Sequence, residues 1–361
     1  MYTLSEKAII YLDSLLNLEY KHKIAIIELY DDISLLFTDN SIAIDYAIKN
    51  ACKKNVVNSL ENINLSIVDS ICDKYEKLGI NLITIKSQNY PNSLKEIPLS
   101  PICLYAKGNV SLLGKENLFS IVGSRKTLPQ YINLTEEFSS SLSSKDIVLV
   151  TGVAVGVDLS VIKGSYKSGN IIVVLAGGLD FIDSEVNRDY INLIIKNGGL
   201  VISEYPLKVP QLSYHYPIRN RIIAGLSKGT LIVSGGLKSG ARHTAAFALD
   251  YGKEVFAFPY TLGALGGELC NLLIKDGAYL VSSVEDVFNV LKINADTKPN
   301  LELQGDEKLV YDTIKGGTTL FDDIISKTNL KIYELMPILM TLEIKGCIVK
   351  VGGNEYSVIK K

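Results

Sequence analysis

The sequence predicts an α/β fold with a doubly wound, mostly parallel sheet at its centre and a smaller unit at each end. Three observations predict it. From about Leu118 to Val281, short β-branched apolar runs alternate with amphipathic stretches. Residues 1 to about 78 contain no glycine and show helical periodicity. After residue 305, three helical patterns precede two short strand patterns.

The central strands are apolar on both faces, as expected when helices cover both sides of a sheet. The strand candidates are Phe119–Val122, Ile147–Val150, Ile171–Leu175, Leu200–Ser203, Thr230–Val233, Glu254–Phe258 and Tyr279–Val281. The helical stretches between them are Asp158–Lys167, Glu185–Lys196, Arg219–Leu226, Thr244–Tyr251 and Leu269–Lys275. This alternation predicts a doubly wound parallel sheet.

The remaining residues form a domain at each end. Residues 1–80 are predicted as a small helical N-terminal domain, and residues 293–305, rich in Lys, Asn, Asp and Pro, as a linker. Over residues 306–361, three helices precede the strands Cys347–Val351 and Glu355–Ile359. Three helices followed by a β-hairpin are the plan of a winged-helix domain.

Composition excludes several classes of function. The 361 residues carry a formal net charge of −2, so any anion site must be local rather than a global basic surface. Five scattered cysteines without C-x-x-C spacing and only three histidines argue against disulfides, a metal site or another cofactor. No charge-free run approaches 18 residues and no basic leader precedes an apolar one. We therefore expect a cytoplasmic protein without a membrane segment.

Arginine is concentrated in the predicted sheet domain. Only five of the 37 basic residues are Arg, and all five lie between positions 125 and 242. A guanidinium group grips phosphate through a bidentate fork, whereas the Lys ammonium acts as a point charge. Chance clustering in the largest domain is the alternative explanation. A local phosphate site fits the same distribution.

The segments that follow the predicted strands are rich in Gly, Ser, Lys and Arg. In a parallel sheet these segments share the carboxyl edge, where helix N-termini attract phosphate. The segments are Gly123 to Arg125, Thr151 to Asp158, Gly177 to Asp180, Pro217 to Arg221 and Gly235 to Gly240. Arg219 and Arg221 point in different directions on a helix, and we expect Arg219 to face the ligand. Ser239 is expected to cap the helix that follows it.

Each feature also has a plainer explanation. A glycine after a strand often only permits the turn, and Asp158 is more often a helix cap than a general base. His243 has no Ser or Cys with an acidic partner around it, which argues against catalysis. The loop around Gly152 is not a G-x-G-x-x-G dinucleotide fingerprint. The concentration of these loops on one edge is what favours anion binding.

Ordered, spaced motifs run from about Gly79 to Val290. They are Tyr90-Pro91 with Leu94-Lys95, Leu104 to Gly108, Ile121 to Arg125, Gly152, Ala154, Gly156 and Asp158 in their spacing, Ser203 to Pro206, Arg219 to Ser227, Lys238 to Ala241 with Thr244-Ala245, and Asp276 to Ala278. This stretch resembles the bacterial DNA-processing protein A family (DprA, also called Smf). The resemblance implies an extended Rossmann-like core domain over residues 81–292. It also implies a homodimer that binds single-stranded DNA without catalytic turnover. It also implies loading of the strand-exchange recombinase during natural transformation.

The expected DNA contacts combine the loop residues with positions that match the family motifs. They are Gly123, Ser124, Arg125, Gly152, Asn187, Arg188, Arg219, Asn220, Lys228, Lys238, Ser239 and Gly240. Arg125 and Arg219 are expected to grip phosphates, and the glycine amides to donate hydrogen bonds to them. Lys228 and Lys238 are expected to make the electrostatic potential at the site more positive.

Tyrosines near these loops are candidates for stacking on bases. Tyr214, Tyr216 and Tyr260 each offer an aromatic face, and base stacking contributes on the order of 1–3 kcal/mol per exposed ring. Packing inside the fold is the alternative for each of them.

The chain departs from the family pattern at several positions. Glu185 stands where the family has a basic residue, and Arg188 three residues later is the expected substitute. Ile162 replaces the usual histidine, Ser234 the usual acidic residue and Tyr260 the glycine of a Pro-Gly pair. The glycine-free N-terminal domain cannot hold a standard helix-hairpin-helix phosphate hairpin, so no DNA binding is assigned to it.

Two other classes of function remain open. A nucleotide-processing enzyme of the lysine-decarboxylase-like type shares the fold, but the Glu of its P-G-G-x-G-T-x-x-E signature has no match after Gly235-Gly236. A duplex-binding transcription factor would read DNA with the third winged-helix helix, Lys331–Ile344. That helix carries Glu334, Glu343 and many apolar residues, a composition that favours protein contact.

Overall fold

A computed structural model of the chain describes residues 2–181, 185–293, 303, 305–344 and 347–358. The chain forms two compact units, Met1–Asn294 and Ala295–Lys361. Most of the predicted linker, residues 294–302 and 304, lies outside the described residues, as does Ile359 at the end of the last predicted strand. Asp183, Ser184 and the side chain of Glu185 are also outside them.

Five helices open the first unit, as the helical periodicity predicts. They are α1 (Leu4–Ser14), α2 (Tyr20–Glu28), α3 (Ser41–Lys49), α4 (Lys54–Glu61) and α5 (Leu65–Lys77). A capping box between Thr3 and Glu6 satisfies backbone amides at the start of α1. Leu12, Ile26 and Leu36 are fully buried in one apolar cluster, so the periodicity corresponds to a packed core.

A nine-stranded sheet forms the rest of the first unit, counted over the described residues. Its strands are β1 (Asn81–Thr84), β2 (Cys103–Gly108), β3 (Leu118–Val122), β4 (Val148–Thr151), β5 (Ile171–Val174), β6 (Leu200–Ser203), β7 (Gly229–Ile232), β8 (Glu254–Ala257) and β9 (Tyr279–Leu280). The helices between and after them are α6 (Asn92–Lys95), α7 (Pro129–Ser143), α8 (Val157–Ser165), α9 (Glu185–Lys196), α10 (His215–Leu226), α11 (Gly240–Asp250), α12 (Glu268–Lys275) and α13 (Val284–Leu291).

The strand order confirms the predicted doubly wound, mostly parallel sheet. In space the strands run β1-β2-β6-β5-β4-β3-β7-β8-β9. All neighbours from β6 to β9 are parallel. The chain winds outward from β3 to β6, returns to β7 beside β3, and winds outward again to β9. Because the order reverses between β3 and β7, a crevice forms beyond the carboxyl ends of these two strands.

The sequence analysis missed two strands, β1 and β2. They extend the sheet by antiparallel pairing, β1 with β2 and β2 with β6. Turn markers such as Tyr90-Pro91, Pro98 and Pro101 indicated only a connecting stretch. These short runs lack a periodic pattern and take strand structure from their partners in the sheet, which local propensity does not reveal.

A buried ion pair links the N-terminal helices to β2. The Nζ of Lys23 lies 3.0 Å from Oδ1 of Asp13, and the Tyr105 hydroxyl donates to Oδ2 of the same carboxylate at 2.7 Å. All three side chains are buried. Burial, reinforced by the Asp13 charge, raises the pKa of the Tyr105 phenol well above its ordinary value, so the hydroxyl keeps its proton and donates.

The second unit has the predicted winged-helix plan. It contains α14 (Gly305–Lys315), α15 (Phe321–Thr328), α16 (Ile332–Ile344) and the antiparallel pair β10 (Ile348–Gly352) and β11 (Glu355–Val358). Val310, Ile324 and Leu339 are buried in its core. In the described parts of both units, no helix is long and apolar enough to cross a membrane.

Replacing Lys23 with methionine tests the buried pair. The variant leaves the Asp13 carboxylate buried without its cation, so we expect the free energy of unfolding to fall by about 3–5 kcal/mol. Urea denaturation followed by circular dichroism measures this change. Lys21 pairs with Glu19 at 3.1 Å on the exposed surface, and K21M should change stability by less than about 1 kcal/mol. Equal losses in the two variants would contradict a stabilising role for the buried pair.

Candidate nucleic-acid interface

The segments that follow the parallel strands meet at the crevice between β3 and β7. The amide of Ser124 donates to the carbonyl of Ser234 at 3.0 Å and to its hydroxyl at 3.1 Å, which joins the loops after β3 and β7. The amide of Val157 donates to the Ser124 carbonyl at 3.4 Å and brings in the loop after β4. The Asn220 side chain donates to the Gly240 carbonyl at 3.4 Å and joins α10 to α11. The predicted segments after β3, β4 and β7 are therefore joined to their neighbours, and so are the starts of α10 and α11.

Two glycines permit this close approach. A Cβ at Gly152 would clash with Oδ2 of Asp158 and lie 2.5 Å from both terminal nitrogens of Arg219. Gly156 has a φ of 96°, and a Cβ there would lie 2.6 Å from the carbonyl oxygen of Ser124. Both glycines thus have a steric role in the site, beyond permitting a turn.

Arg219 lies inside the fold rather than at its surface. The residue is only 4% exposed. A terminal nitrogen donates to the Val174 carbonyl, and Nε donates to Oδ1 of Asn220 at 3.1 Å. We therefore correct the expectation that Arg219 grips phosphate directly, because its guanidinium is already bound to internal partners.

The carboxylate of Asp158 accompanies Arg219 in this interior. It accepts a hydrogen bond from the amide of Ala154 at 3.2 Å, within the loop after β4. Burial raises the pKa of Asp158, while the nearby Arg219 charge opposes that rise. Burial also lowers the pKa of Arg219, and Asp158 opposes that fall. Each charge therefore lowers the cost of burying the other.

Arg221 braces the fold through an internal ion pair. Its guanidinium forms two hydrogen bonds with Glu204, at 3.2 and 2.6 Å. The side chain is 4% exposed, as buried as that of Arg219. This bidentate pair connects α10 to the residue that follows β6.

The accessible positive charge at the crevice comes from other side chains. Arg125 and Lys126 follow β3, Lys238 follows β7, and all three are exposed. The guanidinium carbon of Arg125 lies 5.0 Å from the centroid of the Tyr216 ring, in a cation–π contact. Lys126 was absent from the predicted set, although its place directly after the Gly-Ser-Arg motif is a signal for it.

The start of α11 adds hydrogen-bond donors. Ser239 occupies the predicted N-cap position, but its hydroxyl makes no capping hydrogen bond. This buried oxygen has no hydrogen-bond partner among the described residues. A Cβ at Gly240 would meet open space, so the first turn of α11 is accessible to an anion.

Lys228 lies at the amino-terminal ends of the parallel strands, opposite the crevice. Its predicted place in the site is therefore wrong. Its amide donates to the carbonyl of Leu118 at the start of β3, and its Nζ donates to Asn117 at 3.1 Å. The chain must run the length of β7 before it reaches Ser234, roughly 20 Å at the rise of an extended strand. Lys228 therefore cannot share a pocket with Lys238.

The predicted residues on α9 lie in its first turn. Asn187 is buried and Arg188 is exposed. Because the side chain of Glu185 is outside the described residues, the substitution of Arg188 for the family's basic residue stays a prediction.

The three candidate tyrosines differ in accessibility. Tyr214 is 60% exposed and its ring meets that of His215 edge-on at 4.5 Å. Tyr260 is 7% exposed, stacks on Tyr131 at 3.9 Å and donates to the Val233 carbonyl, so packing is its role. One face of Tyr216 holds Arg125. Tyr214 is thus the accessible stacking candidate of the three.

Comparison with known sequences identifies matches over both units. The profile of DNA recombination-mediator protein A matches residues 81–292, and that of the DprA winged helix domain matches residues 294–354. Protein Smf of Escherichia coli is 32% identical over 301 residues, which cover 80% of each chain. DNA processing protein DprA of Bacillus subtilis is 38% identical over 220 residues, 60% of this chain and 73% of that protein.

Two solved structures share the architecture. DprA from Streptococcus pneumoniae superposes with a TM-score of 0.66 at 29% identity, over 80% of this chain and 98% of that one. DprA from Helicobacter pylori superposes with a TM-score of 0.52 at 27% identity, over 59% of this chain and 96% of that one. The Helicobacter pylori structure is described as showing a single-stranded DNA binding mode.

Substitution of Gly152 by alanine tests the packing of the crevice. The added methyl group would press on Asp158 and Arg219, so we expect a loss of about 1–3 kcal/mol in the free energy of unfolding. Gly236 lies in the loop after β7, where a Cβ would have no atom within 4 Å, and G236A serves as the control. Urea denaturation of both variants gives the comparison. An unchanged stability for G152A would show that the side chains of Asp158 and Arg219 have room to shift.

Proposed function

Because this chain belongs to the family of DNA recombination-mediator protein A, also named DprA or Smf, we propose that it binds single-stranded DNA at the crevice between β3 and β7. One observation carries the proposal. The exposed cations Arg125, Lys126 and Lys238 and the open first turn of α11 converge on one edge of a chain whose net charge is −2. A local cationic crevice attracts phosphate without a basic surface elsewhere.

The outer residues make the contacts in this proposal. Arg125 grips a phosphate with its planar guanidinium, and Lys126 and Lys238 add charge on either side of the crevice. The amides at the accessible start of α11 donate hydrogen bonds to the same backbone. None of these contacts is made to the edge of a base, so binding is independent of the DNA sequence.

The inner residues fix the shape of the crevice. Asp158 holds the loop after β4 through the Ala154 amide, and Gly156 in that loop packs against the backbone of Ser124 and Arg125. Tyr214 offers an exposed ring at the start of α10 for stacking on a base. The choice of single-stranded DNA as the ligand is supported by the Helicobacter pylori relative, whose structure is described by its single-stranded DNA binding mode.

We further propose that the bound strand is delivered to a strand-exchange recombinase during natural transformation. The support is the family description as a recombination mediator.

A homodimer is part of the same proposal. Exposed apolar side chains lie on α11 (Leu249), α12 (Leu272) and the edge strand β9 (Tyr279 and Leu280), which offers a second copy an apolar surface.

Catalytic turnover is not part of the proposal. The Gly235 to Gly240 loop lacks the signature Glu of the lysine-decarboxylase-like enzymes. We expect no release of base or phosphate when the purified protein is incubated with nucleoside monophosphates and the products are separated by chromatography. Release that scales with protein concentration would support the enzyme alternative instead.

The Arg125→Ala variant tests the DNA site. Loss of one charge-assisted phosphate contact should weaken binding about tenfold at low salt, equally for different sequences. The slope of log affinity against log salt should fall by about 0.7 for the single strand. Fluorescence anisotropy with labelled oligonucleotides across salt concentrations measures both quantities.

Lys228→Ala is the matched control, because it removes an exposed cation at the opposite edge of the sheet. We expect its affinity and salt slope to equal those of the unmodified protein. If K228A weakened binding as much as R125A, the crevice would not be the site.

A further inference from the structure

We propose that Tyr216 positions Arg125 for phosphate binding, with its ring holding the guanidinium and its hydroxyl anchored to Gln211. The inference rests on the proposed function of the same crevice and deepens it. It replaces the base-stacking role expected of Tyr216 with a positioning role.

Arg125 needs a partner that fixes its direction. Its side chain is exposed on a loop, and no carboxylate among the described residues forms an ion pair with it. A free arginine side chain samples many rotamers and loses that freedom on binding a phosphate. The Tyr216 ring, 5.0 Å from the guanidinium carbon, restricts those rotamers before the ligand arrives.

The Tyr216 ring is itself held in place. Its hydroxyl donates to Oε1 of Gln211 at 3.0 Å, and Nε2 of Gln211 donates to the Phe181 carbonyl at 2.7 Å. The backbone around Gln211 is attached to the loop after β5, since the amide of Gly178 donates to the carbonyl of Val209 at 2.8 Å. The ring is thus connected through Gln211 to a fixed part of the sheet edge.

The backbone of Arg125 is fixed from the other side. The amide of Ser124 binds Ser234 after β7, and Gly156 after β4 packs against the Arg125 backbone. The cation–π contact therefore joins the loop after β3 to the first turn of α10, which Gln211 connects to the loop after β5. A side chain held at both ends is preorganised for a phosphate at the crevice.

The buried charges do not fix Arg125 by themselves. Asp158 attracts its guanidinium and Arg219 repels it, so the two effects oppose each other. The aromatic ring is the contact that selects an orientation, because a ring face holds a planar guanidinium better than an ammonium. Arg125→Lys should therefore bind more weakly than the wild type although it keeps the charge.

A double-mutant cycle on the full chain tests the proposal. We expect Tyr216→Leu to weaken binding to labelled oligo-dT on the order of three- to tenfold and to lower the salt slope in the same direction as R125A. In the R125A background, Tyr216→Leu should have no further effect, because Tyr216 acts through Arg125. Tyr216→Phe keeps the ring and should lose less than Tyr216→Leu.

Base stacking gives a different pattern. A stacked tyrosine would contribute independently of Arg125, so the losses of the single variants would multiply in the double variant and overturn the positioning role. An abasic oligonucleotide gives a second readout. The ratio of wild-type to Tyr216→Leu affinity should be the same on abasic and normal strands, and a ratio that fell to one on the abasic strand would also overturn it.

Two further comparisons keep the result interpretable. If Tyr216→Leu unfolds the protein, Gln211→Ala tests the same link. It should weaken binding in the wild type and leave the R125A variant unchanged, and an equal loss in both backgrounds would overturn the proposal. Unchanged affinity for R125A alone would overturn both the proposed DNA site and this inference, whereas multiplicative losses would overturn only the positioning role.

Discussion

The buried guanidinium of Arg219 is the constraint on which the crevice depends. A cation this deeply buried needs a partner for its charge and for its N–H groups, because an unpaired charge in the interior is strongly destabilising. The partners come from three elements: the Val174 carbonyl ends β5, Asn220 follows on α10, and Asp158 lies in α8. Only a residue without a side chain fits at Gly152 between them.

This internal pair also explains how a chain of net charge −2 carries a cationic crevice. Arg219 is offset by Asp158 and Arg221 by Glu204, so these four charges largely cancel inside the fold. The exposed cations at this edge include Arg125, Lys126 and Lys238. These outward side chains contribute the local positive field, and the loop that presents Arg125 is fixed by the bonds of Ser124 to Ser234 and by Gly156 against its backbone.

The sequence predicted the sheet and the position of the crevice because both follow from patterns along the chain. Runs apolar on both faces identified the parallel strands, and parallel strands place the following loops on one edge. The antiparallel β1 and β2 were missed because their pairing with β6 is a long-range contact without a local signal. The winged-helix plan was visible in the order of helices and hairpin.

Side-chain direction and strand boundaries limited the prediction of the site. Lys228 was assigned to the crevice, yet it precedes β7 and so lies at the amino edge. Arg219 and Arg221 differ by two residues on one helix, but α10 is covered on several sides and both guanidinium groups are buried. The sequence offered Tyr260 and Tyr214 equally as stacking candidates. The structure distinguishes them, because Tyr260 packs against Tyr131.

The surface of α16 supports a division of roles between the two units. A helix that reads duplex DNA needs cations along its exposed face. On α16 the exposed side chains include Ile332, Tyr333, Met336 and Met340, spaced along the helix together with Glu334. Exposed methionines and a tyrosine suit an adaptable protein contact, whereas phosphate would meet no arginine in the described part of this unit. The guanidinium groups suited to phosphate therefore belong to the first unit, where Arg125 is exposed at the crevice.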